Sequence, residues 1–108
     1  MRGVKQKAEK ETLNNMKKYE LMTIAKVNIG EDKARDTSNE VRDLITKHKG
    51  KVLNEDFWGK RKFAYKIGAD TEGFYDVITF EMPKEDMPVF TGKLGLLDSI
   101  LRYLVTAE

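Results

Sequence analysis

Between Phe57 and Ile67 the chain places four aromatic rings (Phe57, Trp58, Phe63, Tyr65), four cations (Lys60, Arg61, Lys62, Lys66) and one glycine within eleven residues. Ring faces stack on unpaired bases and cations neutralise phosphates, so this mixture suits contact with RNA. The same interleaving also describes a half-buried strand whose rings line a core while its lysines meet water. Composition of the run leaves both readings open, and the remainder of the chain decides between them.

A chain of 108 residues fits one domain with one modest core. Hydrophobic residues make up 40% and charged residues 35%, a balance that suits a polar-surfaced globule. No apolar run approaches the ~20 residues that a membrane helix needs, and the opening Met1-Arg2-Gly3-Val4-Lys5-Gln6-Lys7 lacks the apolar stretch of a secretory signal. Cysteine is absent, which removes disulfides, thiolate nucleophiles and thiolate metal sites, and permits a reducing compartment. The net charge of +2 resides in residues 1–15, where Arg2, Lys5, Lys7 and Lys10 face only Glu9 and Glu11. A neutral body argues against indiscriminate, salt-driven binding along a duplex, so any nucleic-acid contact must come from a local patch. The densest is Lys60, Arg61, Lys62 and Lys66, with no acid between them.

Residues 1–15 carry little apolar content and are expected to form a disordered basic extension, leaving 16–108 as a single domain. From Lys18, Tyr19, Leu21, Thr23 and Ala25 alternate with Met22 and Ile24, a strand pattern. Glu31 to Lys49 reads as a helix with Ala34, Val41, Leu44, Ile45 and His48 on one stripe, and Gly50 is expected to end it with a positive φ. A long extended region follows from Lys51 to Ile67, with Gly59 as its bulge or bend. The segment Gly68 to Gly73 reads as a turn and Phe74 to Met82 as a strand with Ile78, Phe80 and Met82 on one face. Lys84 to Leu96 carries a second helical spacing, and Ser99 to Thr106 alternates as a last strand.

The resulting order, β-α-β-β-α-β, is the split βαβ or ferredoxin-like plan of the α+β class. It predicts a four-stranded antiparallel sheet with both helices on one face, and the first and last strands are expected at its centre. The other face is left open, with Met22, Ile24 and Leu104 beside Arg102, an apolar centre that suggests a docking partner. A regular strand through Gly59 would put Trp58, Lys60, Lys62, Ala64 and Lys66 on one face and Arg61, Phe63, Tyr65 and Ile67 on the other, whereas a bulge would change the parity upstream.

Four segments, Met16-Lys17-Lys18-Tyr19-Glu20, Gly59 to Ile67, Gly73-Phe74-Tyr75 and Glu81-Met82-Pro83, resemble the bacterial small-subunit ribosomal protein S-six family, over residues 16–106. Met16-Lys17-Lys18-Tyr19-Glu20 is similar to that family's start. Gly59-Lys60-Arg61-Lys62-Phe63-Ala64-Tyr65-Lys66-Ile67 resembles its signature of a glycine, a basic pair, a large apolar residue, Ala-Tyr and a spaced Ile. Gly73-Phe74-Tyr75 and Glu81-Met82-Pro83 match a glycine-aromatic turn and a strand end. Phe63 stands where leucine is usual, and the Thr106-Ala107-Glu108 ending lacks an acidic tail.

The resemblance implies a structural constituent of the cytoplasmic ribosome that binds the central domain of small-subunit ribosomal RNA together with ribosomal protein S-eighteen. It implies no cofactor, no metal, no membrane and no small-molecule substrate. The positions it marks as RNA- or partner-binding are Lys17, Lys18 and Tyr19 on the first strand and Trp58, Lys60, Arg61, Lys62 and Lys66 on the second, to which the open sheet face adds Arg102. Arg61 offers a planar fork for phosphate and Lys62 a mobile point charge. An enzyme is not expected. The adjacent pairs Glu31-Asp32, Glu55-Asp56 and Glu85-Asp86 do not converge on a site, and His48, the only histidine, has no evident co-ligand. The alternative is a free-standing ferredoxin-like module that binds RNA or a ligand on its open sheet face.

Overall fold

The computed structural model describes the backbone of residues 16–67 and 70–108 and the side chains of residues 16–63 and 71–108. Expectations placed on residues 1–15 and on the side chains of Tyr65 and Lys66 lie outside the described residues. The elements are β1 (Met16–Lys26), α1 (Glu31–Lys47), β2 (Lys51–Ile67), β3 (Asp70–Pro83), α2 (Met87–Leu94) and β4 (Ile100–Ala107). Short 3-10 turns at Val27–Ile29 and Lys84–Asp86 lead into the two helices.

All described strand pairs are antiparallel, and the sheet order is β2-β3-β1-β4. The centre therefore holds the first and third strands, which corrects the expectation of first and last. Each crossover through a helix skips one strand position, and interleaving two such units encloses β1 and β3 while leaving β2 and β4 as edges. A second correction concerns the β2–β3 connection. The residues from Asp70 to Gly73, read from sequence as part of a turn, belong to β3 and pair with β2 as far as Ile67↔Asp70.

Alternation sets which side chains are buried. Tyr19 and Leu21 of β1 and Ile78, Phe80 and Met82 of β3 meet Val41 and Ile45 of α1 and Phe90 and Leu94 of α2 in the main core. The Phe80 ring sits 5.5 Å from both Tyr19 and Phe90, stacked on the first and edge-on to the second. A smaller cluster of Ala25, Ala34 and Phe74, flanked by Val27, Ile29 and Phe57, fills the other end of the same layer. Between the two lie the buried polar residues Thr23, Thr37, Ser38 and Asp76.

Helix α1 ends through a left-handed residue, but that residue is Lys49 at φ 66° and not Gly50 as expected. Gly50 is required for a different reason: a Cβ there would lie 2.7 Å from both the Ile45 carbonyl oxygen and Ile45 Cγ2, and 2.9 Å from the Glu81 carbonyl oxygen. His48 follows the last helical turn and presents its ring at 6.5 Å to the edge of Phe90, a packing position.

Candidate functional site

The most distinctive local feature of β2 is the bulge around Trp58. Phe57 pairs with Asp76 and Gly59 with Tyr75, so Trp58 has no residue opposite it. Gly59 absorbs the irregularity at φ 82°, where a Cβ would be strained. One extra residue flips the parity, so Trp58 shares the open face with Gly59 and parts from Lys60, while Phe57 leaves the other face of the sheet. Phe57 turns to the helix side, where the Arg35 guanidinium lies 4.3 Å over its ring. Trp58 turns to the open side and stacks on Tyr75, with centroids 6.1 Å apart and planes 10° from parallel. Its Nε1 donates to Asp56 Oδ2 at 2.9 Å, fixing the indole in its plane.

Around this stack the open face is apolar. Phe63 leans on Tyr75 at 6.1 Å and 60°. Ile24, opposite Tyr75 on β1, is buried. Gly73 lets these groups approach, since a Cβ there would meet Ile24 Cγ2 at 2.5 Å and Phe63 Cζ at 3.1 Å. One row away, Val77, Met22 and Leu104 pair in register across β3, β1 and β4, and Leu104 is 63% exposed. Arg102 stands opposite Ile24 and closes the patch on the β4 side.

The expected site residues divide into several positions. Trp58, 41% exposed, and Arg61, opposite Gly73, share the open face, and Arg61 Nη1 donates to the Lys60 carbonyl at 3.1 Å. Lys60 and Lys62 are exposed on the other face of the same strand, opposite Phe74 and Glu72. The bulge thus gathers Trp58 with Arg61 and Phe63, and separates it from Lys60 and Lys62. Lys17 and Lys18 are exposed near the far end of β1, where Lys18 pairs with Glu108 at 3.5 Å. Lys18 and Ile24 are six residues apart on one strand, or about 20 Å, so the two groups of cations do not form one patch. Lys66 lies outside the described side chains.

Tyr19 is the correction in this set. Its ring is 7% exposed and stacked on Phe80, in the core rather than at a surface. Burial, and then the nearby Glu85 charge, raise its phenol above the ordinary tyrosine value. The alternation that placed Leu21, Thr23 and Ala25 inward places Tyr19 there as well.

Sequence reasoning missed Tyr75, Val77 and Phe63 as members of the open face. The signal was present for the first two, since they alternate with the inward Ile78, Phe80 and Met82. Among the described residues no three His, Asp or Glu side chains converge to hold a metal ion, and no helix is long and apolar enough to cross a membrane.

A family model described as Ribosomal protein S6 matches residues 18–107. The small ribosomal subunit protein bS6 of Dictyoglomus turgidum is 35% identical over 91 residues, covering 84% of this chain and 94% of the relative. Its counterpart from Clostridium perfringens is 37% identical over 97 residues, covering 86% and 98%. The crystal structure of 30S ribosomal protein S6 from Thermotoga maritima superposes with a TM-score of 0.82 at 28% identity, covering 86% of this chain and 88% of that one.

Proposed function

We propose that this chain, which belongs to the Ribosomal protein S6 family, acts in the cytoplasmic ribosome as a structural protein of the small subunit that binds small-subunit ribosomal RNA jointly with ribosomal protein S-eighteen. Its task is anchoring rather than catalysis. The observation that carries the joint binding mode is the open sheet face. The patch formed by Trp58, Tyr75, Phe63, Ile24, Met22 and Leu104 is too apolar to be left to water, and its cations lie at the margins. An apolar centre suits a protein partner, flanking Arg61 and Arg102 suit phosphates running past it, and Lys60 and Lys62 on the other face of the same edge strand suit a backbone that wraps that edge. The near neutrality of residues 16–108 supports the same division of labour, because a charge-balanced body gains little RNA affinity alone.

The test is titration of a central-domain ribosomal RNA fragment with this protein, in the presence and absence of the partner protein. Weak binding alone and at least tenfold tighter binding with the partner are expected. Equally tight binding without the partner would overturn the two-protein surface.

A further inference from the structure

Asp76 sits on the helix-facing side of a central strand and is 1% exposed; neither carboxyl oxygen has a hydrogen-bond partner in good geometry, although the Ser38 hydroxyl and the Glu55 carboxyl lie close enough to act on it. A buried ionised carboxylate without partners is costly, so its protonation state and the closure of the surrounding seam are linked. The groups packed against it come from three elements. Helix α1 contributes Ser38, whose hydroxyl donates instead to the Ala34 carbonyl at 3.3 Å, and Arg42, with Arg35 nearly two turns away over Phe57. Strand β2 contributes Phe57, directly opposite, and Glu55, the next residue on that face. Strand β1 contributes the uncharged Thr23. Among the described residues Arg42 is the cation that acts on Asp76, and it is committed to Glu55 at 2.8 Å.

We propose that Asp76 is a proton-operated latch: while protonated it lets α1 lie closed on β2 and β3, and when it ionises beside the Glu55 carboxylate that seam loosens. Burial first, and the Glu55 carboxyl as neighbour, push the Asp76 carboxyl up to about 7, against the lowering influence of Ser38 and Arg42. The closed seam therefore holds one more proton than the open one across the mildly acidic range, and closure is favoured there and weakened as pH rises to neutrality. The latch bears on β2 at Glu55 and Phe57, immediately before the bulge that carries Trp58. The inference concerns the protein's own packing and is independent of what covers the open face.

The experiment uses the full chain. Residue-resolved hydrogen exchange of the α1 amides, corrected for intrinsic rates, is measured at pH 5.5 and 7.5 on wild type, Asp76→Asn and Glu55→Gln, with carbon-13 titration of the Asp76 carboxyl. A one-proton linkage predicts at least tenfold more opening of α1 at pH 7.5 than at 5.5 in the wild type. In Asp76→Asn the dependence is expected to fall within about twofold, and in Glu55→Gln the Asp76 midpoint is expected to drop. An Asp76 midpoint in the ordinary carboxylate range, or pH-independent protection of α1, would overturn the latch. So would an unchanged pH dependence in Asp76→Asn. The wild-type carboxyl titration and the wild-type α1 exchange together decide the matter even if a variant fails to fold.

Discussion

Trp58 and Tyr75 lie face to face across the β2–β3 pair, 6.1 Å apart and 10° from parallel, because one residue too many in β2 turns the indole away from the helices. The stack is held from the side by the Asp56 carboxylate and not by burial. Its rigidity makes it a preorganised surface, one that loses little conformational freedom on docking.

Trp58→Ala is therefore expected to weaken partner-dependent RNA binding by tenfold or more, since aromatic anchors dominate such surfaces. Stability should change by no more than about 1.5 kcal/mol, because the residue is substantially exposed. Binding isotherms and denaturant melts of one sample check both halves. Unchanged affinity with intact folding would remove Trp58 from the interface.

Simultaneous replacement of Lys60, Arg61 and Lys62 by alanine is expected to leave thermal unfolding within about 1 kcal/mol of wild type. The same variant should bind RNA less tightly and with a shallower salt dependence, as fewer counterions are released. Incorporation into small subunits at wild-type levels would count against phosphate contact by this segment.

Two glycines should respond differently to alanine. At Gly59 the open surroundings leave only the positive φ to resist a side chain, which costs roughly 1–2 kcal/mol. At Gly50 the new Cβ would press on two carbonyl oxygens at 2.7 and 2.9 Å, and relief requires moving the end of α1 away from β3. Gly50→Ala should be the more damaging, by about 1 kcal/mol or more. Chemical denaturation of both variants provides the ranking.

For Asp76, a folded-state value raised to about 7 means that its contribution to stability is complete below the ordinary aspartate range and is lost as pH rises to 7. Asp76→Asn should thus gain on the wild type with rising pH, ending of order 1–3 kcal/mol more favourable relative to it at pH 8 than at pH 4. Melting temperatures across that range give the difference directly. A constant offset between the two proteins would contradict the assignment.

Much of the architecture was legible because alternation and helical spacing were clean in Tyr19–Ala25, Ala34–Ile45 and Ile78–Met82. The bulge was legible in Gly59, a glycine inside an otherwise well-formed strand. The strand order was not read correctly from element order, since it depends on how two crossovers interleave. The composition of the open patch was only half visible: Met22, Ile24 and Leu104 followed from simple alternation, whereas the side taken by Trp58 hung on a register shift. Asp76 was overlooked altogether. Its warning sign was a carboxylate at the inward phase of Phe74, Ile78 and Phe80, a place where a charged residue needs an explanation.

The smaller apolar cluster has a consequence for how the molecule breathes. It rests on two alanines and one phenylalanine, lies across the polar belt from the main core, and underlies the end of the sheet that bears the indole stack. With so little buried area to defend it, that end is where transient unfolding should begin. A binding partner gripping the opposite surface there would clamp the region least able to keep itself shut, so complex formation should suppress local fraying most strongly beneath the stack.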